Sequence, residues 1–132
     1  MKSKLKDYKK MMESLKILYA EDDEKVREGG EKFLNKFFSS VTIANNGKKG
    51  LEEFQKGSYD IVFSDIKMPK MNGWKMVEKI REIEPNIFVV MLTASRHYEE
   101  AESKLCDMYL EKPISLDNMI EVLKKIKEKF NL

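Results

Sequence analysis

The sequence predicts an α/β fold, a (βα)5 doubly wound five-stranded parallel sheet with helices on both faces. Five short apolar runs alternate with longer segments of helical spacing. The middle runs are continuously apolar and rich in β-branched or aromatic residues, as strands covered on both faces must be. The connections are short, which calls for βαβ crossovers. With 132 residues, the chain holds one such domain and leaves little for a second.

Residues 1–15 stand outside this alternation as a lysine-rich N-terminal extension. Leu5, Tyr8, Met11, Met12 and Leu15 recur there at spacings near three and four. That pattern reads as an amphipathic helix lying on the domain and, equally, as a frayed basic tail. The domain proper is residues 16–132. Its first run is Lys16–Ala20, followed by a helix with Asp23 as N-cap and an apolar stripe of Val26, Phe33, Leu34, Phe37 and Phe38. Gly29 and Gly30 cost that helix about 1 kcal/mol each against alanine, so close backbone packing is expected there. The second run, Val41–Ala44, leads through Asn46-Gly47 into a short helix marked by Leu51 and Phe54. The third, Tyr59–Ser64, precedes a helix capped by Asn72, opened by Trp74 as packing, lined by Met76, Val77, Ile80 and Ile83, and stopped at Pro85. After the fourth run, Ile87–Leu92, Ala101 and Leu105 give a weak helix with His97 exposed at its start. Cys106 reads as a buried small apolar side chain. The fifth run is Met108–Leu110, and Ser115 caps a last helix that buries Met119, Ile120, Leu123, Ile126 and Phe130.

Composition removes several function classes. A single cysteine forbids an intramolecular disulfide and a cysteine-based zinc site, and His97 is the one histidine. Hard metals held by oxygen remain open. The formal charge of +2 is unevenly spread: residues 1–16 carry six lysines and two acids, so the rest of the chain is slightly acidic. A body that close to neutral argues against direct nucleic-acid binding. No apolar run reaches the length of a membrane span, and the start lacks the apolar stretch of a signal peptide. A cytoplasmic setting is expected.

In doubly wound folds ligands bind outside the carboxyl ends of the strands, where strand order reverses. The residues just after the apolar runs meet that rule: Glu21-Asp22-Asp23 after the first, Asp65 after the third, Thr93 after the fourth, and Lys112-Pro113 after the fifth. At an effective dielectric near 20, two unit charges ~4 Å apart repel by roughly 4 kcal/mol, so converging carboxylates call for a cation among them. Oxygen ligands on a chain poor in nitrogen and sulfur donors point to Mg²⁺. An aspartate beside a metal, a hydroxyl and an ammonium suits phosphoryl transfer. Asp65 would be the nucleophile, forming an acyl phosphate, while Lys112 and Thr93 meet the phosphoryl oxygens.

On these residues the chain resembles the response-regulator receiver domain family of two-component signalling, over about residues 16–132. The matching motifs are Ile17-Leu-Tyr-Ala-Glu-Asp-Asp23, Ser64-Asp-Ile-Lys-Met-Pro69 with Met71-Asn-Gly73, Leu92-Thr-Ala94 and Tyr109-Leu-Glu-Lys-Pro113. The resemblance implies a flavodoxin-like receiver fold, with Asp65 as phosphoacceptor. It implies that Asp22 binds Mg²⁺ directly, Glu21 through water, and Lys67 through its backbone carbonyl. Thr93 and Tyr109 match the switch pair, and Lys112 the phosphate-binding lysine. Asp23 falls one position past the acidic pair and is assigned to capping. The resemblance further implies a histidine kinase or phosphotransfer protein as donor. An unnamed output protein would bind the face formed by the fourth and fifth helices and the fifth strand. The chain departs from the family at Leu105-Cys106, where a glycine–alanine pair is common. Lys67 and Ser95 occupy the variable sites expected to set phosphoryl lifetime.

The expected function is therefore a stand-alone receiver that catalyses only its own phosphorylation and dephosphorylation. It is not expected to be an enzyme acting on other substrates. The sequence carries no output domain after the last helix, so it is expected to act by binding a partner or to be a fragment of a longer regulator or hybrid kinase. A Mg²⁺-dependent phosphohydrolase of the haloacid-dehalogenase type is the catalytic alternative, but it needs a second acid where Lys67 stands. A flavodoxin-like FMN carrier is the other, but it needs a glycine- and hydroxyl-rich phosphate loop where Glu21-Asp22-Asp23 would repel phosphate.

Overall fold

β1 (Lys16–Ala20), β2 (Ser40–Ala44), β3 (Ile61–Asp65), β4 (Phe88–Thr93) and β5 (Met108–Glu111) pair in parallel as one sheet, in the order β2-β1-β3-β4-β5. The structure, a computed structural model, describes residues 2–94 and 104–132. His97, Ser95 and Ala101, with the weak helix expected around them, lie outside the described residues. Strand order reverses between β1 and β3. The register aligns their exits there, with Ala20 opposite both Ala44 and Ser64.

The helices are α1 (Lys2–Met11), α2 (Glu24–Leu34), α3 (Gly47–Lys56), α4 (Gly73–Ile83) and α5 (Leu116–Lys129). Asp23, Asn46, Asn72 and Ser115 cap the last four, each accepting from the backbone N–H three residues on. This satisfies donors that a helix start otherwise leaves without partners. Side chains alternate across each strand, and both faces are covered. Ile17, Tyr19, Phe63, Val90 and Leu92 enter a core with α2 and α5, while Leu18, Ala20, Val62, Val89 and Met91 enter one with α3 and α4. This is why the strands read as unbroken apolar runs.

Residues 2–11 are helical, and the approach to β1 is apolar. Tyr8, Met12 and Leu15 are buried in the same core as α2 and α5, with Leu5 and Met11 packed against it and Lys6, Lys9 and Lys10 left in solvent. Ile120 and Phe130, expected to be buried, are half-buried against this core, and two residues of the expected stripes are exposed. Val26 is 43% exposed and Ile83 51%, and both stand in the end turns of their helices. Phe37 and Phe38 are fully buried, yet they lie beyond the end of α2 in the turn toward β2. Close packing is found at Gly30, where an added Cβ would run into the Tyr19 ring, but Gly29 has open space. Cys106 is half-buried rather than buried.

Candidate functional site

Glu21 leaves β1 by donating its N–H to Ala44 O at 3.0 Å, one step beyond the last strand residue. That turns its side chain inward, where it is 1% exposed. Its Oε1 accepts from Lys112 Nζ at 2.8 Å and its Oε2 from the Asp23 N–H at 3.1 Å. Burial pushes the Glu21 carboxyl above its ordinary range, and the Lys112 hydrogen bond opposes that shift. Asp22 stands exposed at the rim. Arg27 Nη1 donates to the carbonyls of Glu21 at 3.0 Å and Asp22 at 3.3 Å, which fixes the turn that carries both acids.

Asp65 ends β3. Its Oδ1 accepts from the Ile66 N–H at 2.9 Å and lies 3.2 Å from Lys112 Nζ. Lys112 is set by β5, one residue past Glu111, and its N–H donates to Thr93 O at 2.7 Å. Its peptide bond to Pro113 is cis. Burial alone would lower the Lys112 ammonium, but the Glu21 hydrogen bond and the Asp65 charge outweigh it and hold the group above the usual lysine value. Carboxylate oxygens of Glu21, Asp22 and Asp65 all lie within 4.8 Å of one another. The Asp23 carboxylate is spent on its cap, its Oδ1 taking the Val26 N–H at 3.0 Å.

The loop after β3 carries Lys67 with its side chain in solvent. Two glycines let the backbone close around this loop. Gly73 N–H donates to Ile66 O at 2.7 Å and Gly47 N–H to Met71 O at 3.1 Å. A Cβ on Gly73 would collide with the Asp65 carbonyl, and one on Gly47 with that of Met71. Thr93 is buried at the end of β4, opposite Glu111. Tyr109 lies two residues before Glu111, so the strand period puts it on the same face of the sheet as Thr93. Its ring meets Trp74 edge to face at 5.9 Å and 71°, and its buried hydroxyl lies beside the Cys106 thiol.

Three functional features escaped the sequence reading. The direct Glu21–Lys112 pair spans 91 residues, and no local spacing signals such a contact. The Trp74–Tyr109 ring pair is likewise long-range. Arg81 donates to the carbonyls of Leu105 (2.8 Å), Pro85 (3.0 Å) and Ile87 (2.9 Å) and to Asp107 Oδ2 (3.1 Å). Backbone acceptors carry no residue signature, so a clamp of this kind is invisible in sequence.

Among the described residues, Lys112 pairs with Glu21 and Asp65 while Asp22 adds a third carboxylate, which leaves positive charge in deficit. Oxygen donors alone, at this spacing, fit a hard divalent cation. The arrangement defines a class: a doubly wound α/β domain with an acidic pocket at the reversal of strand order. A family model, the response regulator receiver domain, matches residues 17–124, and the chain belongs to that family. The transcriptional regulatory protein YcbL of Bacillus subtilis is 35% identical over 113 residues, covering 83% of this chain and 48% of YcbL. CusR of Escherichia coli is 31% identical over 109 residues, covering 80% and 48%. The chain thus spans about half the length of these relatives, and 13% of the LuxN sensor kinase/phosphatase of Vibrio campbellii, which is 32% identical over 109 residues. Among solved structures, the response regulator TrrA of Thermotoga maritima in complex with Mg²⁺-BeF is 31% identical, with a TM-score of 0.76 over 85% of this chain and 98% of that one. A receiver domain protein from Clostridium thermocellum gives 25% identity and 0.76 over 89% and 99%. The chain is a receiver domain of two-component response regulators, the phosphoacceptor class of those systems. This displaces the phosphohydrolase and flavin-carrier alternatives. Among the described residues no helix is long and apolar enough to cross a membrane.

Proposed function

We propose that Asp65 accepts a phosphoryl group from the phosphohistidine of a histidine kinase or phosphotransfer protein, in the cytoplasm, and that residues 16–132 form the receiver unit. One observation carries the reading. A single ammonium, Lys112, reaches both Asp65 (3.2 Å) and the buried Glu21 (2.8 Å), at a pocket where Asp22 adds a third carboxylate. An Asp65 carboxylate oxygen attacks phosphorus. The P–O bond forms as the P–N bond breaks, and the imidazole nitrogen keeps the electron pair. Lys112 stays beside the transferred group and neutralises charge on its oxygens. Thr93 donates its hydroxyl to one of them. Mg²⁺ would be held by Asp22, Asp65 and the Lys67 backbone carbonyl, with Glu21 acting through water, and would supply further charge neutralisation. The protein catalyses only its own phosphorylation and dephosphorylation.

The phosphoryl group brings roughly 1.5 to 2 negative charges and new acceptor oxygens into the pocket. Drawing the Thr93 hydroxyl inward vacates space on the face it shares with Tyr109, and the Tyr109 ring turns to fill it. That couples the pocket to β5 and α5, where an output protein binds. The part of that face expected from the weak helix around Ala101 lies outside the described residues. The test is incubation with a small phosphodonor and Mg²⁺, followed by intact mass. Wild type should gain one phosphoryl group and Asp65→Asn none, with the fold of the variant intact. Undiminished gain in the variant moves the acceptor elsewhere.

A further inference from the structure

Trp74 stands at the start of α4 and packs against Tyr109. Its neighbour Gly73 is wedged against the Asp65 carbonyl, and its own side chain is 5% exposed. Across the sheet face, its ring meets Tyr109 edge to face at 5.9 Å. The two rings are unequally held. Trp74 is buried near the start of α4, behind the Asn72 cap, whereas Tyr109 is half-buried on the short strand β5.

The backbones of the pair are tied together. Arg81, on the same helix as Trp74, grips the chain just ahead of β5 through Leu105 O and Asp107 Oδ2, and that carboxylate also takes the Val89 N–H at 2.8 Å. With α4 and the lead-in to β5 clamped, the ring contact joins two fixed stretches of backbone. An edge-to-face pair adds stabilisation beyond the area it buries. Holding Tyr109 against Trp74 therefore favours one position of the Tyr109 ring over any other.

We propose that Trp74 is the positioning residue of the switch. Its ring holds Tyr109 in the unphosphorylated position and so sets the equilibrium that phosphorylation of Asp65 must overcome. The proposal rests on the reading of Asp65 as phosphoacceptor and of Thr93 and Tyr109 as the switch. A ligand of the pocket that prefers the switched state binds more weakly by the fraction of protein in that state. Loss of one aromatic pair raises that fraction by roughly two- to tenfold while the resting state dominates.

The experiment measures the apparent affinity of the full chain for beryllofluoride at saturating Mg²⁺. Trp74→Ala should bind it roughly two- to tenfold more tightly than wild type, and Trp74→Phe, which keeps a ring, should return toward wild type. A purely structural residue would weaken binding when truncated. Unchanged or weaker binding by Trp74→Ala, or a phenylalanine variant that behaves like alanine, overturns the proposal. If Trp74→Ala does not fold, Tyr109→Leu serves in its place, because Trp74 is the chain's single tryptophan. Beryllofluoride should change Trp74 emission in wild type and lose most of that effect in Tyr109→Leu; an equal response in both overturns the proposal. A wild type that neither binds beryllofluoride nor gains phosphoryl mass defeats the reading of Asp65 instead, and the role of Trp74 with it.

Discussion

Where the chain enters β1 and β2, Tyr8, Met12, Leu15, Phe37 and Phe38 are buried in one apolar core. Where it leaves β1 and β3, the carboxylates of Glu21, Asp22 and Asp65 converge, and Lys112 pairs with Glu21 and Asp65. The first end gains from every group it buries. The second works against itself, since burial drives the Glu21 carboxyl upward and the acids repel one another. Stability and chemistry are thus separated along the strand axis. The lysine-rich extension belongs to the stabilising end: its apolar side closes the core while Lys6, Lys9 and Lys10 remain in water.

The largest effect on this contrast should come from the apolar end. Met12 is fully buried, and truncating a buried methionine to alanine costs about 2–5 kcal/mol through lost transfer energy and the cavity left behind. Met12→Ala should show that loss in denaturant melts, while phosphoryl incorporation under native conditions stays at the wild-type level. Impaired incorporation by the folded variant would mean that the two ends are coupled.

At the acidic end the expected change has the opposite sign. A cation that binds only the folded state stabilises it by about 2.7 kcal/mol at a hundredfold excess over its dissociation constant. Thermal melts with and without Mg²⁺ should show this, and Asp22→Ala should lose most of it. A wild-type melting temperature indifferent to Mg²⁺ would leave the three carboxylates as a solvated cluster.

The smallest effects sharpen the boundary between the two ends, beside Tyr19. Gly30→Ala drives a methyl group into the Tyr19 ring, and overpacking of that kind costs about 1–3 kcal/mol. Gly29→Ala meets open space and should stabilise α2 by up to about 1 kcal/mol, the helix preference of alanine over glycine. Opposite signs at adjacent glycines, read from denaturant midpoints, are the expected result. Equal effects would show that Tyr19 yields freely.

The sheet was legible because both of its faces are covered. Burial on two sides leaves continuous apolar runs, and β1 was read to the residue. The acidic pocket was legible because the residues after each run share one crevice by topology, so Glu21, Asp22, Asp65 and Lys112 could be brought together from their places after the runs. Periodicity was less informative at helix ends. Val26 and Ile83 continue their stripes yet stay exposed in the end turns, whereas Phe37 and Phe38 are buried after the helix has stopped. Residues 1–15 stayed open between helix and tail because their spacing could not say whether the domain had an uncovered patch to receive Tyr8 and Met12. The Arg81 clamp, the Glu21–Lys112 pair and the Trp74–Tyr109 contact depend on tertiary distances that no local pattern encodes.

The central claim is that the phosphoryl group resides on Asp65, and chemical mapping of the acyl phosphate tests it most directly. Borohydride reduction converts a phosphorylated aspartate to homoserine, which peptide sequencing by mass then locates. After treatment of the full chain with a small phosphodonor and Mg²⁺, homoserine should stand at position 65 and at neither 22 nor 23. Homoserine at Asp22 or Asp23 with Asp65 unmodified would contradict the account, because the nucleophile would then lie on the exit of β1, and Lys112 would no longer stand between the acceptor and its buried acid.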